Sequence, residues 1–367
     1  MGNSATDSDG FEGTAAASPV EVLTAVSELG TAAEQAAIVR LALSSGLLVR
    51  CVEPTAEAEL ARAVRVPLAV MTDVCSVLVS LGALHRDGTR VQLTQAWAPL
   101  ASGGVDLTLR RSLDGAAVRQ HLLSSVFSNP DTYWKLDDGQ RGTLADAVTL
   151  ATTTEFGRDA VMGAIAGVPE LKQTLEAGAR WLELGCGVAG MLLGTAHAFS
   201  RVTAVGIDIA PNLLKLAQER AEELGIADRV TFIHDDATSY TDDEPFDIVF
   251  WSQFFFPGDT RKATLANAFE RLRPGGMLVC PILPGDQEPA ETGSPIAQQA
   301  ALNVLLFSGW GVPFRTGDTL AEEVDAAGFA EIRTYRESLP ILMTARRPGQ
   351  KAISRTPSTG KTAPETY

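Results

Sequence analysis

The second half of the chain alternates short apolar runs with amphipathic segments, and this alternation is the feature that most restricts its fold. Apolar runs bounded by turn residues predict strands, and the spacing of three or four between apolar residues in the intervening segments predicts helices. We therefore predict a Rossmann-like, doubly wound α/β sheet of seven strands. The predicted strands are 179–184, 202–207, 230–234, 246–252, 276–283, 330–335 and 339–346, and the predicted helices are 189–199, 211–224, 260–271 and 318–327.

The last two predicted strands are joined by a very short link. Only Arg336, Glu337 and Ser338 separate them, whereas a parallel crossover needs about a dozen residues or more. The two strands must therefore pair as an antiparallel hairpin at the end of the sheet.

A glycine-rich turn connects the first strand to the first helix of this region. It runs from Leu182 to Gly190, with glycines at 185, 187 and 190. Glycines let the backbone approach a ligand closely, and the helix that follows offers free N–H groups. Asp208 ends the next strand, 21 residues after Gly187, where a carboxylate can accept from both hydroxyls of a ribose. A nicotinamide cofactor and S-adenosylmethionine (SAM) both fit these residues.

Three further features separate these two ligands. Glu183 ends the strand before the turn, where a carboxylate suits an aminoacyl ammonium better than a pyrophosphate. The acidic pair Asp235 and Asp236 ends the third strand and can accept from an adenine amino group. The stretch 272–278, which contains Arg-Pro-Gly-Gly, precedes a fifth strand.

The first third of the chain has a different pattern, in which residues 19–115 show helical periodicity. We predict a short helix from Pro19 to Glu28 and a second one capped at Thr31, followed by an Asp87–Gly88 turn between two short strands. This order of helices followed by a hairpin is that of a winged helix, which serves DNA binding in some proteins and dimerisation in others. The other helices predicted before the sheet are 55–64, 67–82 and 142–166.

Charge favours dimerisation over DNA binding for this domain. Lys and Arg total 30 against 45 Asp and Glu, so the net charge is −15. The helix in the position of a recognition helix has no Lys or Arg between Pro67 and Leu84, so it offers nothing to phosphates or base edges. We predict no nucleic-acid partner and no membrane partner, since no apolar run reaches 18 residues.

Cysteine and histidine are scarce and scattered. The four cysteines form no C-x-x-C pair, and the four histidines lie far apart in the sequence. This predicts no metal site, a reduced, cytoplasmic location, and a packing role for Cys186. The predicted organisation is a disordered leader at 1–18, a dimerisation domain at 19–115, a catalytic domain at 116–347 and a disordered tail at 348–367.

Taken together, these motifs resemble those of the class I SAM-dependent methyltransferases. The resemblance is closer to the small-molecule O-methyltransferases that carry a winged-helix dimerisation domain, and it covers about residues 19–346. The residues that carry it are Phe156-Gly-Arg158 with Met162, Glu183 to Gly187, Asp208, Ala227 to Val230, Asp235 to Ala237, and Arg273 to Gly276.

The resemblance implies SAM as cofactor, S-adenosyl-L-homocysteine (SAH) as product, a small-molecule substrate and a homodimer. It places the methionine part of SAM at the glycine-rich turn, the ribose at Asp208 and the adenine at Asp236 and Ala237. The cofactor-binding residues that we predict are Phe156, Arg158, Met162, Glu183, Gly185, Cys186, Gly187, Asp208, Ile209, Asp235, Asp236, Ala237, Trp251 and Ser252.

The chain departs from the family at the expected general base. The family commonly places a histidine after the fourth strand, and by counting that position is Phe256. Phenylalanine cannot accept a proton, so acceptors that need little deprotonation fit best. Carboxylate O-, C- and N-methylation stay open, and Arg315 slightly favours a carboxylate. The predicted catalytic residues are Trp251, Gln253 and Arg315.

Aromatic side chains are the candidates for the acceptor pocket, although core packing explains them equally well. The predicted substrate residues are Phe127, Tyr133, Trp134, Gln253, Phe256, Phe307 and Trp310. The stretch 284–317, with a helix at about 295–307, is expected to act as a lid. We expect tailoring of a natural product. The alternatives are a SAM-binding protein with a non-methylation reaction and a ligand-sensing winged-helix regulator.

Overall fold

The computed structural model describes residues 18–124, 135–282, 294–338 and 340–349. The predicted leader and tail, except for Ser18 and residues 348–349, lie outside the described residues, as do the predicted substrate residues Phe127, Tyr133 and Trp134. One compact unit ends at Leu113 and a second begins at Asp114.

The first unit begins with a helix longer than the sequence suggested. Helix α1 (Pro19–Ser44) is continuous, so the predicted break before Thr31 is wrong. Its capping box lies at the start instead, where the Ser18 side chain accepts from the backbone N–H of Glu21 and the Glu21 side chain accepts from that of Ser18. The interior Gly30 does not end the helix, because a helical glycine costs only about 1 kcal/mol.

Three shorter helices and a small sheet complete this unit. They are α2 (Leu47–Arg50), α3 (Glu57–Val64) and α4 (Leu68–Ser80), with strands β1 (Thr55–Ala56), β2 (Leu84–Asp87) and β3 (Arg90–Leu93) in the order β1-β3-β2. The predicted hairpin is present as the antiparallel pair β2 and β3. Buried residues of α4, namely Met71, Cys75 and Leu78, form the core with Leu47, Leu48 and Leu60.

No single helix among the described residues is long and apolar enough to cross a membrane. Helices α3 and α4 reach that length and composition only as a pair, and they bend by 111° at the break between them.

Four further helices of the described residues lie between the small sheet and the large one. They are α5 (Val105–Ser124), α6 (Asp138–Val148), α7 (Glu155–Ala166) and α8 (Pro169–Ala177). The single helix predicted over 142–166 is therefore wrong. The side chain of Thr154 caps a new helix by accepting from the N–H of Gly157. Gly157 has no Cβ to meet the carbonyl of Ala151, so the connecting loop folds closely against α7.

The second unit contains the predicted seven-stranded sheet. Its strands are β4 (Arg180–Leu184), β5 (Thr203–Asp208), β6 (Val230–His234), β7 (Phe246–Trp251), β8 (Leu272–Ile282), β9 (Ala330–Tyr335) and β10 (Ile341–Arg346), in the order β6-β5-β4-β7-β8-β10-β9. The pairs from β6 to β8 are parallel, and β10 is antiparallel to both β8 and β9. The fold class and the terminal hairpin are confirmed.

Helices cover both faces of this sheet, which is why most residues of its central strands β4 and β7 are buried. One core contains Trp181 with residues of α7, α8, α9 (Gly190–Ala198) and α10 (Pro211–Glu223). The other contains Leu182 with residues of α11 (Gly258–Arg271) and α13 (Gly317–Ala326). Helix α12 (Pro295–Gly309) lies between α11 and α13 in the chain.

The strand order reverses between β4 and β7. Chain order runs from β4 towards β6 on one side and from β7 towards β8 on the other. In sheets of this kind, ligands bind outside the carboxyl ends of the strands at such a reversal. We therefore expect a ligand to bind at the carboxyl ends of β4 and β7, next to the end of β5.

Candidate active site

The glycine-rich turn after β4 has the backbone geometry that explains its glycines. Gly185 and Gly187 have φ values of +69° and +53°, in the left-handed region that favours glycine. The N–H of Gly187 donates to Asp208 Oδ2 over 2.8 Å, which fixes the turn to the end of β5. Cys186 between them is buried, and burial raises the pKa of its thiol well above its ordinary value. Packing is therefore the role that its surroundings support.

Glu183 places a carboxyl group inside the protein just before this turn. Its side chain is 3% exposed, and its Oε2 has no hydrogen-bond partner among the described residues. Burial raises the pKa of this carboxyl to about 8, and the nearby charge of Asp208 adds to the rise. A backbone hydrogen bond from Leu192 and the indole of Trp181 offset only part of it. A cationic ligand atom next to this buried carboxyl group would stabilise its charged form.

Asp208 stands at the end of β5, next to Glu183 along the sheet edge. Its Oδ1 accepts from the N–H of Ala210 over 2.8 Å, while Oδ2 accepts from the turn. Burial raises the pKa of this carboxyl, and the two backbone donors counteract the rise. The next residue, Ile209, is 59% exposed and offers an apolar surface at the same edge.

The end of β6 carries the predicted acidic pair. Asp235 and Asp236 are exposed, and each accepts a backbone N–H, from Asp236 and Thr238 respectively. Ala237 is buried, and its carbonyl accepts from Asn267 Nδ2 over 2.9 Å. Since Asp208 lies opposite His234 in the β5–β6 register, the two strand ends are neighbours.

Helix α7 and the loop before it lie on α9, the helix that follows the glycine-rich turn. A Cβ on Gly190 would approach the carbonyl oxygen of Leu150 to 2.8 Å, and one on Gly194 would approach Val161 Cγ2 to 2.7 Å. The predicted cofactor residues on α7 differ in exposure, because Phe156 is exposed whereas Arg158 and Met162 are half-buried. Their helix thus lies beside the turn.

A buried polar network lies behind the end of β7. Arg261 on α11 is 2% exposed and donates to both oxygens of Glu323 on α13, at 2.6 Å from Nη2 to Oε2. Its Nη1 donates to the Gln253 backbone oxygen and to Gln253 Oε1, at 3.0 and 3.1 Å. Burial alone raises the pKa of Glu323, but hydrogen bonds from Arg261 and Arg315 lower it overall.

This network occupies the three residues predicted as catalytic. Trp251 is 0% exposed, with the guanidinium carbon of Arg261 at 4.7 Å from its ring centroid. Gln253 Nε2 donates to the carbonyl of Pro281 over 3.3 Å. Arg315 Nε donates to Glu323 Oε1 over 2.6 Å, and its Nη1 donates to the Phe314 carbonyl. All three have internal partners.

Sequence reasoning missed Arg261 and Glu323, although α11 contained a signal. Arg261 shares one face of that helix with the buried Thr264, Leu265 and Ala268. An arginine in the buried stripe of a helix requires an internal acceptor. The identity of that acceptor, 62 residues away on another helix, could not be read from spacing.

Aromatic rings gather on the outer side of the β7 end and form what we call the aromatic cluster. The ring of Phe255 stacks on Trp310 at 5.6 Å, and Phe254 lies 6.0 Å from Phe307. Two of these residues, Phe307 and Trp310, were predicted to line the acceptor pocket and are buried here. The members of the aromatic cluster are Phe254, Phe255, Phe307, Trp310 and Phe314.

Phe256 points the other way, towards the glycine-rich turn. A Cβ built on Gly185 would lie 2.6 Å from Cε2 and 2.9 Å from Cζ of Phe256 but 3.9 Å from Cδ2, so the edge of the ring points at this glycine. Its edge-to-face partner is Trp251, at 5.5 Å and 73°. Ser252, also a predicted cofactor residue, is half-buried and donates its backbone N–H to the carbonyl of Leu184. Thus the β7 end lies against the end of β4.

Among the residues that the structure describes, no group of three or more His, Cys, Asp and Glu side chains can hold a metal ion.

Comparison with known proteins shows similarity to methyltransferases. Residues 182–276 match a family described as a methyltransferase domain. Erythromycin 3''-O-methyltransferase of Saccharopolyspora erythraea is 30% identical over 183 residues, which cover 47% of this chain and 56% of that protein. The chain spans about half the length of the curated relatives it matches.

Solved structures match the fold over nearly the whole chain. An O-methyltransferase family protein from Burkholderia thailandensis matches with a TM-score of 0.68 at 16% identity, covering 92% of this chain and 100% of that one. Human N-acetylserotonin methyltransferase in complex with SAM matches with a TM-score of 0.67 at 14% identity, covering 91% and 99%. At these identities the likeness shows a shared fold.

Proposed function

Since residues 182–276 form a methyltransferase domain in a chain with the class I methyltransferase fold, we propose that this protein transfers the methyl group of SAM to an oxygen atom of a small metabolite. The observation that carries the proposal is the buried, unpartnered Oε2 of Glu183 beside Asp208 at the glycine-rich turn. A ligand that offers both an ammonium and a ribose diol satisfies this pair of carboxyl groups.

The residues at the strand ends fit SAM part by part. Glu183 would hold the ammonium and Asp208 the ribose hydroxyls, while the exposed Ile209 and the carboxylate of Asp236 suit the face and the amino group of adenine. When bound, SAM supplies an electrophilic methyl group. The contribution of the chain is to fix the donor at the end of β4, because its turn is already held by Asp208.

The acceptor side is apolar and lacks a proton acceptor at the expected position. By counting along the sequence, Phe256 falls at the position where the family that the chain resembles commonly has a histidine. The aromatic cluster lies in a different hydrophobic core from Phe256, and its apolar character suits a largely apolar acceptor. The preference for a carboxylate acceptor rested on Arg315 and on the missing base. The ion pair of Arg315 with Glu323 removes the first support, whereas the missing base still favours an acceptor oxygen that is already deprotonated. Oxygen acceptors agree with the names of two relatives, erythromycin 3''-O-methyltransferase and 27-O-demethylrifamycin SV methyltransferase, whereas a third is named as a sterol 4-C-methyltransferase. Natural-product tailoring is the role that we propose.

Two further parts of the proposal concern assembly and location. We propose a homodimer formed through the first unit, because α1 exposes apolar side chains along its first half. We also propose a cytoplasmic location, supported by four cysteines that are all free and buried.

The proposed function is tested with purified protein, SAM and a panel of hydroxylated, carboxylated and amine metabolites. We expect SAH and a methylated oxygen product by mass spectrometry. SAM binding without SAH from any acceptor would contradict methyl transfer and favour the non-methylation alternative. Salt-dependent DNA binding in fluorescence anisotropy would favour the regulator instead.

The variant Asp208→Ala tests whether Asp208 binds the ribose of SAM in a protein that still folds. It removes the acceptor for the ribose and for the N–H of Gly187, so we expect SAM affinity to fall at least about 100-fold in calorimetry. Asp228→Ala, at an exposed residue before β6, is the matched control and should bind normally. Unchanged SAM affinity in the folded Asp208→Ala protein would contradict the ribose assignment.

A further inference from the structure

One peptide unit, just after the end of β5, lies between the side chains of His234 and Asp208. It joins Ile209 to Ala210. Its N–H donates to Asp208 Oδ1 over 2.8 Å, and its carbonyl oxygen lies 3.1 Å from Nε2 of His234. Because a carbonyl oxygen can only accept, Nε2 of His234 carries the proton and donates it to this bond. Hydrogen bonds thus hold the peptide unit at both of its polar groups.

These two hydrogen bonds act through a rigid group. The six atoms of a peptide unit lie close to one plane, so a donor that fixes the carbonyl oxygen also fixes the direction of the N–H. Without the bond from His234, rotation of this plane would turn the N–H away from Asp208. Hydrogen bonds in a chain also polarise one another, so donation to the carbonyl strengthens the N–H as a donor. His234 therefore helps to determine where Oδ1 of Asp208 lies.

The remaining contacts of Asp208 fix its other oxygen and its backbone. Oδ2 accepts from the N–H of Gly187 in the glycine-rich turn over 2.8 Å. The strand register sets His234 opposite Asp208, and the N–H of Asp235 donates to the carbonyl of Asp208 over 3.3 Å. The end of β6 is thus joined to the end of β5, which keeps the His234 ring within reach of the peptide unit.

We infer that His234 is a positioning residue for Asp208, which acts through the peptide unit between Ile209 and Ala210 and thereby raises the affinity for a ligand with a ribose diol. This inference rests on the role of Asp208 in the proposed function. The His234 ring is exposed, so the burial of apolar surface does not account for its place. A carboxylate whose oxygens are already oriented loses less conformational freedom when it binds a diol.

The first test measures SAM affinity by calorimetry in variants of His234. In His234→Ala we expect the affinity to fall about 3- to 10-fold, the size of one hydrogen bond. His234→Gln keeps an N–H donor and should recover most of this loss. The matched control is His197→Ala, at an exposed position near the end of α9, which should bind SAM as the unaltered protein does. Equal affinities in the two alanine variants would overturn the inference.

A double variant separates an effect through Asp208 from a general loosening of the strand ends. In Asp208→Ala the carboxylate that His234 positions is gone, so adding His234→Ala should change SAM affinity by less than about twofold. An added loss as large as the one in the unaltered background would contradict the inference, because His234 would then act by another route.

Hydrogen exchange at the Ala210 amide tests the same contact without any ligand. In the ligand-free protein we expect this exchange, followed by mass spectrometry, to accelerate about 3- to 10-fold in His234→Ala and to stay slow in His234→Gln. Unchanged exchange in His234→Ala would refute the positioning role. If the unaltered protein does not bind SAM, the proposed function itself fails, and the exchange at Ala210 then decides the role of His234.

Discussion

At the scale of single residues, the site depends on carboxyl groups taken out of water. Glu183 is buried beside the turn with one oxygen unpartnered, and burial raises its pKa to about 8. In the ligand-free protein this group is therefore mostly protonated at pH 7. An ammonium bound against it favours the carboxylate, so SAM binding must displace the proton.

We predict that SAM binding at pH 7 releases a proton from Glu183. Affinity should rise with pH by up to tenfold per unit below pH 8 and should level off above it, because the carboxylate is then already present. Calorimetry in two buffers with different ionisation enthalpies measures the proton count. Glu183→Gln should lose the release and bind more weakly, whereas Glu244→Gln, at a side chain 79% exposed, should keep both properties. An unchanged proton count in Glu183→Gln would refute the assignment.

The ligand-binding role of the glycine-rich turn could be predicted from sequence, whereas the buried contacts of Arg261 and Glu323 behind the end of β7 could not. Gly185, Gly187 and Asp208 lie within a short stretch, and the backbone geometry explains each of them. The roles predicted for Gln253 and Arg315 assumed free side chains. Both are engaged by Arg261 and Glu323, and these contacts depend on how distant helices pack.

At the scale of elements, strands were more predictable than helix ends. Strands β4, β7 and β8 are mostly buried, which leaves a clear apolar signal. The helix predicted over 142–166 failed because Gly157, Gly190 and Gly194 let a loop pack against α9, and this close approach has no local signature. Helix α8 was missed altogether.

The link between α11 and α13 gives a prediction about stability. Glu323→Ala leaves the guanidinium of Arg261 buried without its carboxylate partner, with only the hydrogen bonds to Gln253 remaining. We therefore expect the free energy of unfolding to fall by about 3–5 kcal/mol. The control Glu244→Ala removes an exposed partner of Arg180 and should cost less than about 1 kcal/mol. Urea denaturation compares the two. Similar losses of unfolding free energy in both variants would show that the buried ion pair stabilises the fold no more than the exposed one.

At the scale of the whole molecule, α1 exposes more large apolar side chains than any other element that the structure describes. Val20, Leu23, Val26 and Leu29 are between 62% and 73% exposed, and Leu23, Val26 and Leu29 share one face of the helix. A helix normally buries such an apolar face against another element. A second copy of the chain is the partner that we propose for it.

We predict that Leu23→Glu combined with Leu29→Glu converts a dimer into a monomer. Two charges in an apolar interface would be desolvated without partners. Sedimentation equilibrium gives the mass of each variant. Arg50→Glu, at an exposed position on α2 of the same unit, should remain dimeric. A monomeric unaltered protein, or a double variant that still dimerises, would exclude α1 as the contact.

One edge of the large sheet limits which surfaces can bind another protein chain. Strand β9 forms that edge and is exposed along most of its length, with Glu331 and Arg333 among its side chains. Glu331 has a φ of +53°, and the register with β10 shifts between Thr344 and Arg346. Charge and irregular backbone discourage strand addition. The β9 edge of the sheet thus resists strand addition, which leaves the β6 edge and the helical surfaces for assembly.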